Sequence, residues 1–192
     1  MFKRFTSPER HADDAAAGVQ QPDVAGSAAE TATARQIVAR LDAMPPTDAR
    51  YLACFAYVMS RAAQADLSIS PEETALMEQF AVQYGGLDES QAVLVVGMTK
   101  LQASIEGATE DYVVTREFRE ISTPEQRKQL LRCCFAIEAA DGTINAEEAA
   151  VSNEIARELD IEAADLNAIR DEYHEQLSSV QELRRAAGGT SA

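Results

Sequence analysis

Apolar side chains recur along most of this chain at the three- and four-residue spacing of an amphipathic helix. One such stripe is formed by Leu94, Met98, Leu101 and Ile105. No segment shows the alternation of apolar and polar residues that is typical of a half-buried strand between hairpin turns. Within the periodic part, prolines lie only at the boundaries between stripes, where a helix tolerates them. The pattern therefore predicts an all-α protein.

The ends of the periodic stretches divide the chain into a helical domain and two tails. Helices are expected near residues 34–43, 48–65, 71–84, 88–105 and 109–121, then from Pro124, from Ala146, and as one outer helix over residues 162–185. Small and polar residues dominate the start of the chain, so residues 1–32 are predicted to be disordered, as are residues 186–192. Residues 33–185 are expected to form a single compact domain of seven to eight helices.

A short acidic segment occurs twice, which indicates a duplicated helix pair. Residues 65–73 match residues 140–148 at an offset of 75 residues, so that Asp66 corresponds to Asp141. Each copy places an aspartate after one helix and two glutamates at the start of the next. We call these loops the first corner (residues 65–73) and the second corner (residues 140–148). Together the corners carry six acids: Asp66, Glu72, Glu73, Asp141, Glu147 and Glu148.

Helix capping explains part of this acidic pattern. Asn145 and Glu148 have the spacing of a capping box, and the corresponding residues of the first corner repeat it. An aspartate after a helix has no such role, because the helix dipole is negative at that end. Asp66 and Asp141 either form a local Asx-turn or are ligands of a cation, and the residues leave both explanations open.

The donor types at the corners indicate which cation would suit them. Carboxylate, hydroxyl and amide oxygens are the ligands of Ca²⁺ or Mg²⁺, and neither corner contains the His or Cys that Zn²⁺ prefers. A shared site requires the two corners to approach each other. We expect this approach, with two matched stripes packed between the halves: Leu76, Phe80 and Tyr84 against Val151, Ile155 and Leu159.

Composition excludes several classes of function. A formal net charge of −15 disfavours a nucleic-acid surface, because phosphate binding needs clustered cations. No apolar run is long enough to span a bilayer, and the first residues lack a secretory signal, so we expect a cytoplasmic protein. Phe2 to Phe5 is either a solvated start of the chain or a contact with the inner face of the cell membrane. Cys54, Cys133 and Cys134 are expected to be buried thiols.

No constellation of residues indicates catalysis. The only histidines, His11 and His174, have no neighbours suited to a catalytic triad, and no glycine-rich phosphate loop is present. We therefore expect no catalytic residues, no organic cofactor and no enzymatic activity.

The segment from Ala139 to Glu148, with its repeat around Asp66, resembles the TerB family of bacterial tellurite-resistance proteins. The resemblance covers roughly residues 34–180. It implies a compact, internally duplicated helical domain whose acidic corners bind a divalent metal, and a role in tellurite resistance and wider stress responses. The matching acids are Asp66 and Glu73, then Asp141 and Glu148, with Glu72 and Glu147 beside them. One departure is Leu67, which stands where the second corner has Gly142.

The resemblance leaves two functional classes open. The first is a non-enzymatic, metal-binding accessory protein of a stress-response complex, with other proteins of that complex, including membrane-associated ones, as partners. The second is a metal-free helical interaction module. The amino-terminal domain of a membrane-anchored DnaJ-type co-chaperone is similar, and it supports a binding module of this second kind.

Overall fold

The computed structural model describes residues 24–63, 71–103 and 111–188, and within these ranges the regular secondary structure is helical, which confirms the predicted all-α class. The helices are α1 (Val24–Asp42), α2 (Pro46–Ala62), α3 (Pro71–Gln83), α4 (Glu89–Ala103), α5 (Asp111–Ile121), α6 (Pro124–Glu138), α7 (Ala146–Glu158), α8 (Ala163–Glu172) and α9 (Ser178–Gly188). A 3₁₀ turn, His174–Gln176, separates the last two.

The first helix of each repeat lies at the centre of the domain. Helix α2 packs against α4, α5, α6 and α7, and it is buried along most of its length. The centre of the Phe55 ring on α2 lies 6.2 Å from the centre of the Phe118 ring on α5. The centre of the Tyr51 ring, also on α2, lies 5.2 Å from the centre of the Phe118 ring. Helix α6 begins at the expected place, with a capping box formed by Thr123 and Gln126. Burial of these apolar faces stabilises the fold, at about 25 cal/mol per Å² removed from water.

The second helices of the two repeats exchange partners instead of meeting. Helix α3 packs on α4 and on α6 of the other repeat, and α7 packs on α6 and on α2 of the other repeat. The expected contact between the two matched stripes is wrong for the described residues, because α3 and α7 have no extensive contact with each other. Where α6 packs on α3, the Cys133 thiol donates a 3.4 Å hydrogen bond to the Phe80 backbone carbonyl.

A buried ion pair reinforces the contact between α2 and α7. The Arg61 guanidinium lies 2.6 Å from a carboxylate oxygen of Glu158, and 3.7 Å from one of Glu154. Arg61 is only 8% exposed. Removing one charge of such a pair leaves the other buried without compensation, so the pair restricts how the two repeats fit together.

The amino-terminal helix is longer than its apolar stripe predicts. Helix α1 begins at Val24, upstream of the start expected near residue 34 and inside the segment expected to be disordered. The early part of α1 is rich in alanine, which has the highest helix propensity. Residues 1–23 lie outside the described ranges.

The expected outer helix over residues 162–185 is broken in the structure. Helix α8 ends at Glu172, and Leu177 is extended, with φ −62° and ψ 122°. Leu177 forms an isolated parallel β-bridge with Ile144 of the second corner. The apolar stripe gave no signal of this break, because the pairing joins positions far apart in the sequence. Phe135 and Tyr173 stack with their ring centres 5.7 Å apart, which fixes the end of α8 on α6.

Candidate functional site

The second corner is a tight turn held by Asp141. The Asp141 carboxylate accepts a hydrogen bond of 2.8 Å from the Thr143 backbone N–H, which is the Asx-turn that the sequence left as one alternative. Gly142 has a φ of +91°, a conformation that favours glycine. An added Cβ at Gly142 would meet no atom within 4 Å, so the backbone angle alone selects glycine there.

The start of α7 has the expected capping box. The Asn145 side chain accepts hydrogen bonds from the backbone N–H groups of Glu147 and Glu148, at 2.8 and 3.0 Å. The Glu148 carboxylate in turn accepts from the Asn145 N–H at 2.8 Å. Glu147 is exposed and lies near the positive end of the helix dipole. Capping thus accounts for the positions of both glutamates.

A C-terminal strap, residues 176–181, holds the second corner from outside. The Ile144 N–H donates to the Gln176 carbonyl at 2.7 Å, and the Ser178 N–H donates to the Ile144 carbonyl at 2.9 Å. The Gln181 side chain donates to the Gly142 carbonyl at 3.0 Å. Its amide oxygen accepts from the Thr143 hydroxyl at 3.3 Å. The N–H groups of Thr143 and Ile144 and the Thr143 hydroxyl are therefore engaged within the protein.

A buried acid lies behind this corner, in the last turn of α6. Glu138 is 4% exposed, and one of its carboxylate oxygens accepts a 2.7 Å hydrogen bond from the Ser152 hydroxyl. Its other oxygen is buried and has no hydrogen-bond partner among the described residues. Burial, with a smaller contribution from the charge of Glu148, raises the pKa of Glu138 from 4.5 to about 8. The carboxyl is therefore largely protonated near neutral pH.

The structure brings together only part of the predicted metal site. Asp141, Glu147 and Glu148 share the second corner, whereas Asp66 and the side chain of Glu72 lie outside the described residues, and Glu73 is exposed on α3. Within the described ranges no three His, Cys, Asp or Glu side chains converge as metal ligands. The described residues of the second corner alone do not form a metal site, and the approach of the two corners lies outside the described residues.

A second surface feature is a groove of about 500 Å³ between α1, α3 and α4. Its apolar floor includes Ile37, Leu94 and Leu101, and Gly97 lies between them. An added Cβ at Gly97 would lie 3.3 Å from the Ile37 side chain, so the missing side chain lets α1 and α4 approach closely. Val93 on the wall is 47% exposed. We call this feature the α1–α4 groove.

The cysteines are buried thiols, as the sequence predicts. Cys54, Cys133 and Cys134 are free and buried. Burial raises the pKa of Cys54 to about 11 and that of Cys133 to about 12, and it raises the pKa of Cys134 as well. A thiol that stays protonated is a poor nucleophile, so these side chains serve as core packing.

Sequence reasoning missed both Glu138 and the α1–α4 groove. A signal for Glu138 was present, since it follows Leu131, Cys134 and Phe135 on the buried face of α6 at helical spacing. For the groove the sequence signal was weaker. It was Gly97, because a glycine inside an otherwise helical pattern often has a packing reason.

Over the residues that the structure describes, these features define a single-domain, all-helical protein built around a duplicated helix pair. Comparison with family models identifies the match: the model described as tellurite resistance protein TerB covers residues 51–171, more than half of the chain. The chain therefore belongs to the TerB family, as the repeated motif suggested. Comparison with curated proteins and with solved structures gives no match. No helix in the described ranges is long and apolar enough to cross a membrane.

Proposed function

We propose that this TerB-family protein is a non-enzymatic interaction module of a tellurite-resistance or related stress-response system, which acts in the cytoplasm by docking a partner protein. The observation that carries the proposal is the α1–α4 groove, whose floor is apolar and whose wall exposes Val93. Apolar grooves between helices are the surfaces in which partner helices dock.

The chemistry of the remaining sites supports a binding role. The thiols are buried and stay protonated, and the acids of the second corner are engaged in a turn and a helix cap. Neither arrangement supplies an activated nucleophile or a positioned acid and base for a substrate.

Growth of a strain that lacks this gene, with and without tellurite, tests the proposal. Val93→Glu places a charge on the groove wall at an exposed position, and Leu183→Glu makes the same kind of change on α9, where Leu183 is 71% exposed. We expect the gene carrying Leu183→Glu to restore growth on tellurite and the gene carrying Val93→Glu to fail, with equal melting temperatures for the two purified proteins. Full rescue by Val93→Glu would contradict the proposal.

Binding of Ca²⁺ or Mg²⁺ at the acidic corners is a second candidate function. The observation that favours it is that Asp141, Glu147 and Glu148 share the second corner, where Asp141 and Glu147 are exposed. The ligands would be Asp141, Glu147 and Glu148, completed by the acids of the first corner.

Calorimetric titration of the full chain with Ca²⁺, Mg²⁺ and Mn²⁺ tests this second candidate. We expect saturable heat for at least one ion, and a sharp loss of affinity in Asp141→Asn, which keeps the turn-forming ability of the residue but removes its charge. Glu148→Gln should bind more weakly too, while still completing the capping box. No saturable heat with any of the ions would exclude metal binding.

A further inference from the structure

Two cations lie at the α1–α4 groove without an acidic partner among the described residues. The Arg40 guanidinium donates hydrogen bonds to the Ser90 carbonyl at 2.9 Å and to the Ser90 hydroxyl at 2.8 Å. The Lys100 ammonium donates to the Thr74 hydroxyl at 3.0 Å. Both residues line the groove. Neutral groups hold both charges in place, and in the described part of the chain neither cation forms an ion pair with a carboxylate.

Acidic side chains dominate the charge of this chain. The protein has 32 acidic residues against 17 basic ones. Several other cations form ion pairs with carboxylates: Arg50 with Glu117, Arg61 with Glu158, Lys128 with Glu125, Arg132 with Glu172, and Arg184 with Glu175. Arg40 and Lys100 contact neutral groups instead, so the groove is one of the surfaces where positive charge remains available in a protein whose overall charge is negative.

The two cations mark opposite ends of the groove. Arg40 is bound at Ser90, near the start of α4, and Lys100 lies near the end of the same helix. Ten residues of α-helix span about 15 Å. Between the ends lie the apolar floor and the gap at Gly97. Glu78 of α3 also lines the groove and places one negative charge on the wall between α3 and α4.

We propose that the α1–α4 groove binds an amphipathic helix of a partner protein, whose apolar face fills the floor and whose acidic residues, about ten positions apart, contact Arg40 and Lys100. This inference rests on the proposed function, because it names the chemistry of the partner at the same groove. Charge complementarity supplies the specificity, and the apolar floor supplies the contact area. Glu78 disfavours an acid in the middle of the bound helix.

The direct test is fluorescence anisotropy with the full chain and two labelled peptides. Both peptides carry the same leucine stripe at positions i, i+3, i+4 and i+7. One has glutamates flanking the stripe about ten positions apart, and the other has lysines in the same places. We expect the acidic peptide to bind roughly tenfold more tightly than the basic one, since exchanged charges at two exposed sites turn attraction into repulsion. The difference should shrink as salt is added.

Charge reversal in the protein provides the matched control. The double variant Arg40→Glu/Lys100→Glu should reverse the preference and bind the basic peptide more tightly. Arg116→Glu, a single charge reversal at an exposed cation on α5 outside the groove, should leave the preference intact, whereas Arg40→Glu and Lys100→Glu alone should each weaken it. Glu78→Gln should strengthen binding of the acidic peptide.

The outcomes separate this inference from the proposed function. Equal binding of both peptides, abolished by Val93→Glu, would overturn the charge inference and leave the groove as a docking surface. No saturable binding of either peptide would overturn both. A third outcome concerns a synthetic peptide of residues 1–23 as competitor. If it displaces the labelled acidic peptide at a lower concentration than the unlabelled acidic peptide does, the occupant of the groove is the start of this chain. That result would overturn the assignment to a partner.

Discussion

Replacing Glu138 with Gln removes the charge from a carboxyl that lies inside the helical core. The side chain is 4% exposed, and Gln keeps its size and can still accept the hydrogen bond from Ser152. Burial raises the pKa of Glu138 from 4.5 to about 8, so the folded protein keeps a proton that the unfolded chain releases in this interval. The unfolded state then binds fewer protons than the folded state, and the free energy of unfolding falls as pH rises between about 4.5 and 8.

The magnitude follows from the size of this pKa change. At about 1.4 kcal/mol per pKa unit, the shift corresponds to a loss on the order of 4 kcal/mol between pH 4.5 and pH 8, levelling off above pH 8. The Gln variant has no proton to release. Its free energy of unfolding should therefore equal that of the natural protein near pH 4. At pH 9 it should exceed that of the natural protein by on the order of 4 kcal/mol.

Chemical unfolding in urea, measured every half pH unit from 4 to 9, gives the difference between the two proteins. Contributions from titrating groups shared by both proteins cancel in this difference. Glu147→Gln, which removes the same charge from an exposed position at the second corner, serves as control and should give a small difference at every pH. If the Glu138→Gln difference is constant from pH 4 to pH 9, the carboxyl is not buried in its protonated form and the reasoning fails.

Two further predictions concern the contacts between the repeats and the second corner. Arg61→Met should lower the free energy of unfolding by about 3–5 kcal/mol because it leaves Glu158 buried without its cation, and the double variant Arg61→Met/Glu158→Leu should recover most of that loss in urea melts. A double variant as unstable as Arg61→Met alone would show that packing, and not the charge, is responsible. Gly142→Ala should lower the free energy of unfolding by about 1 kcal/mol in thermal melts, because the φ of +91° at this position disfavours a side chain although space for one is available. An unchanged free energy of unfolding would mean that the turn adjusts freely.

The sequence predicted the features of the fold that have local signals. The capping box at Thr123 and Gln126 and that at Asn145 and Glu148 were readable because each depends on residues three positions apart. The helical class followed from apolar spacing alone. Gly142 has a φ of +91°, whereas the sequence singled this position out only because the first corner has Leu67 there.

The features that escaped prediction depend on residues far apart in the sequence. The β-bridge between Ile144 and Leu177 breaks the last helix, and no local pattern around Leu177 announces it. The exchange of partners by α3 and α7 depends on how two whole repeats dock. The α1–α4 groove likewise forms only when α1 packs on α4 at Gly97. Hydrophobic periodicity shows which face of a helix is buried, but it does not say against which neighbour.

The predicted metal site illustrates a second reason why residue types alone do not decide a function. Glutamates at the start of a helix are explained by capping and by ligation equally well, so the residue types could not decide between them. The structure satisfies the second corner internally, through the Asx-turn of Asp141 and the capping box of Glu148. Metal binding therefore remains a prediction that concerns both corners together.

If the protein acts through its α1–α4 groove, binding there changes the environment of the amides around the groove, which backbone chemical shifts detect. Adding the acidic peptide to the ¹⁵N-labelled full chain should shift the amide signals of Ile37, Gly97 and Leu101 saturably, while those of Gly142 and Thr143 at the second corner stay unchanged. Saturable shifts centred on the second corner, or no saturable shifts at all, would contradict action through the groove.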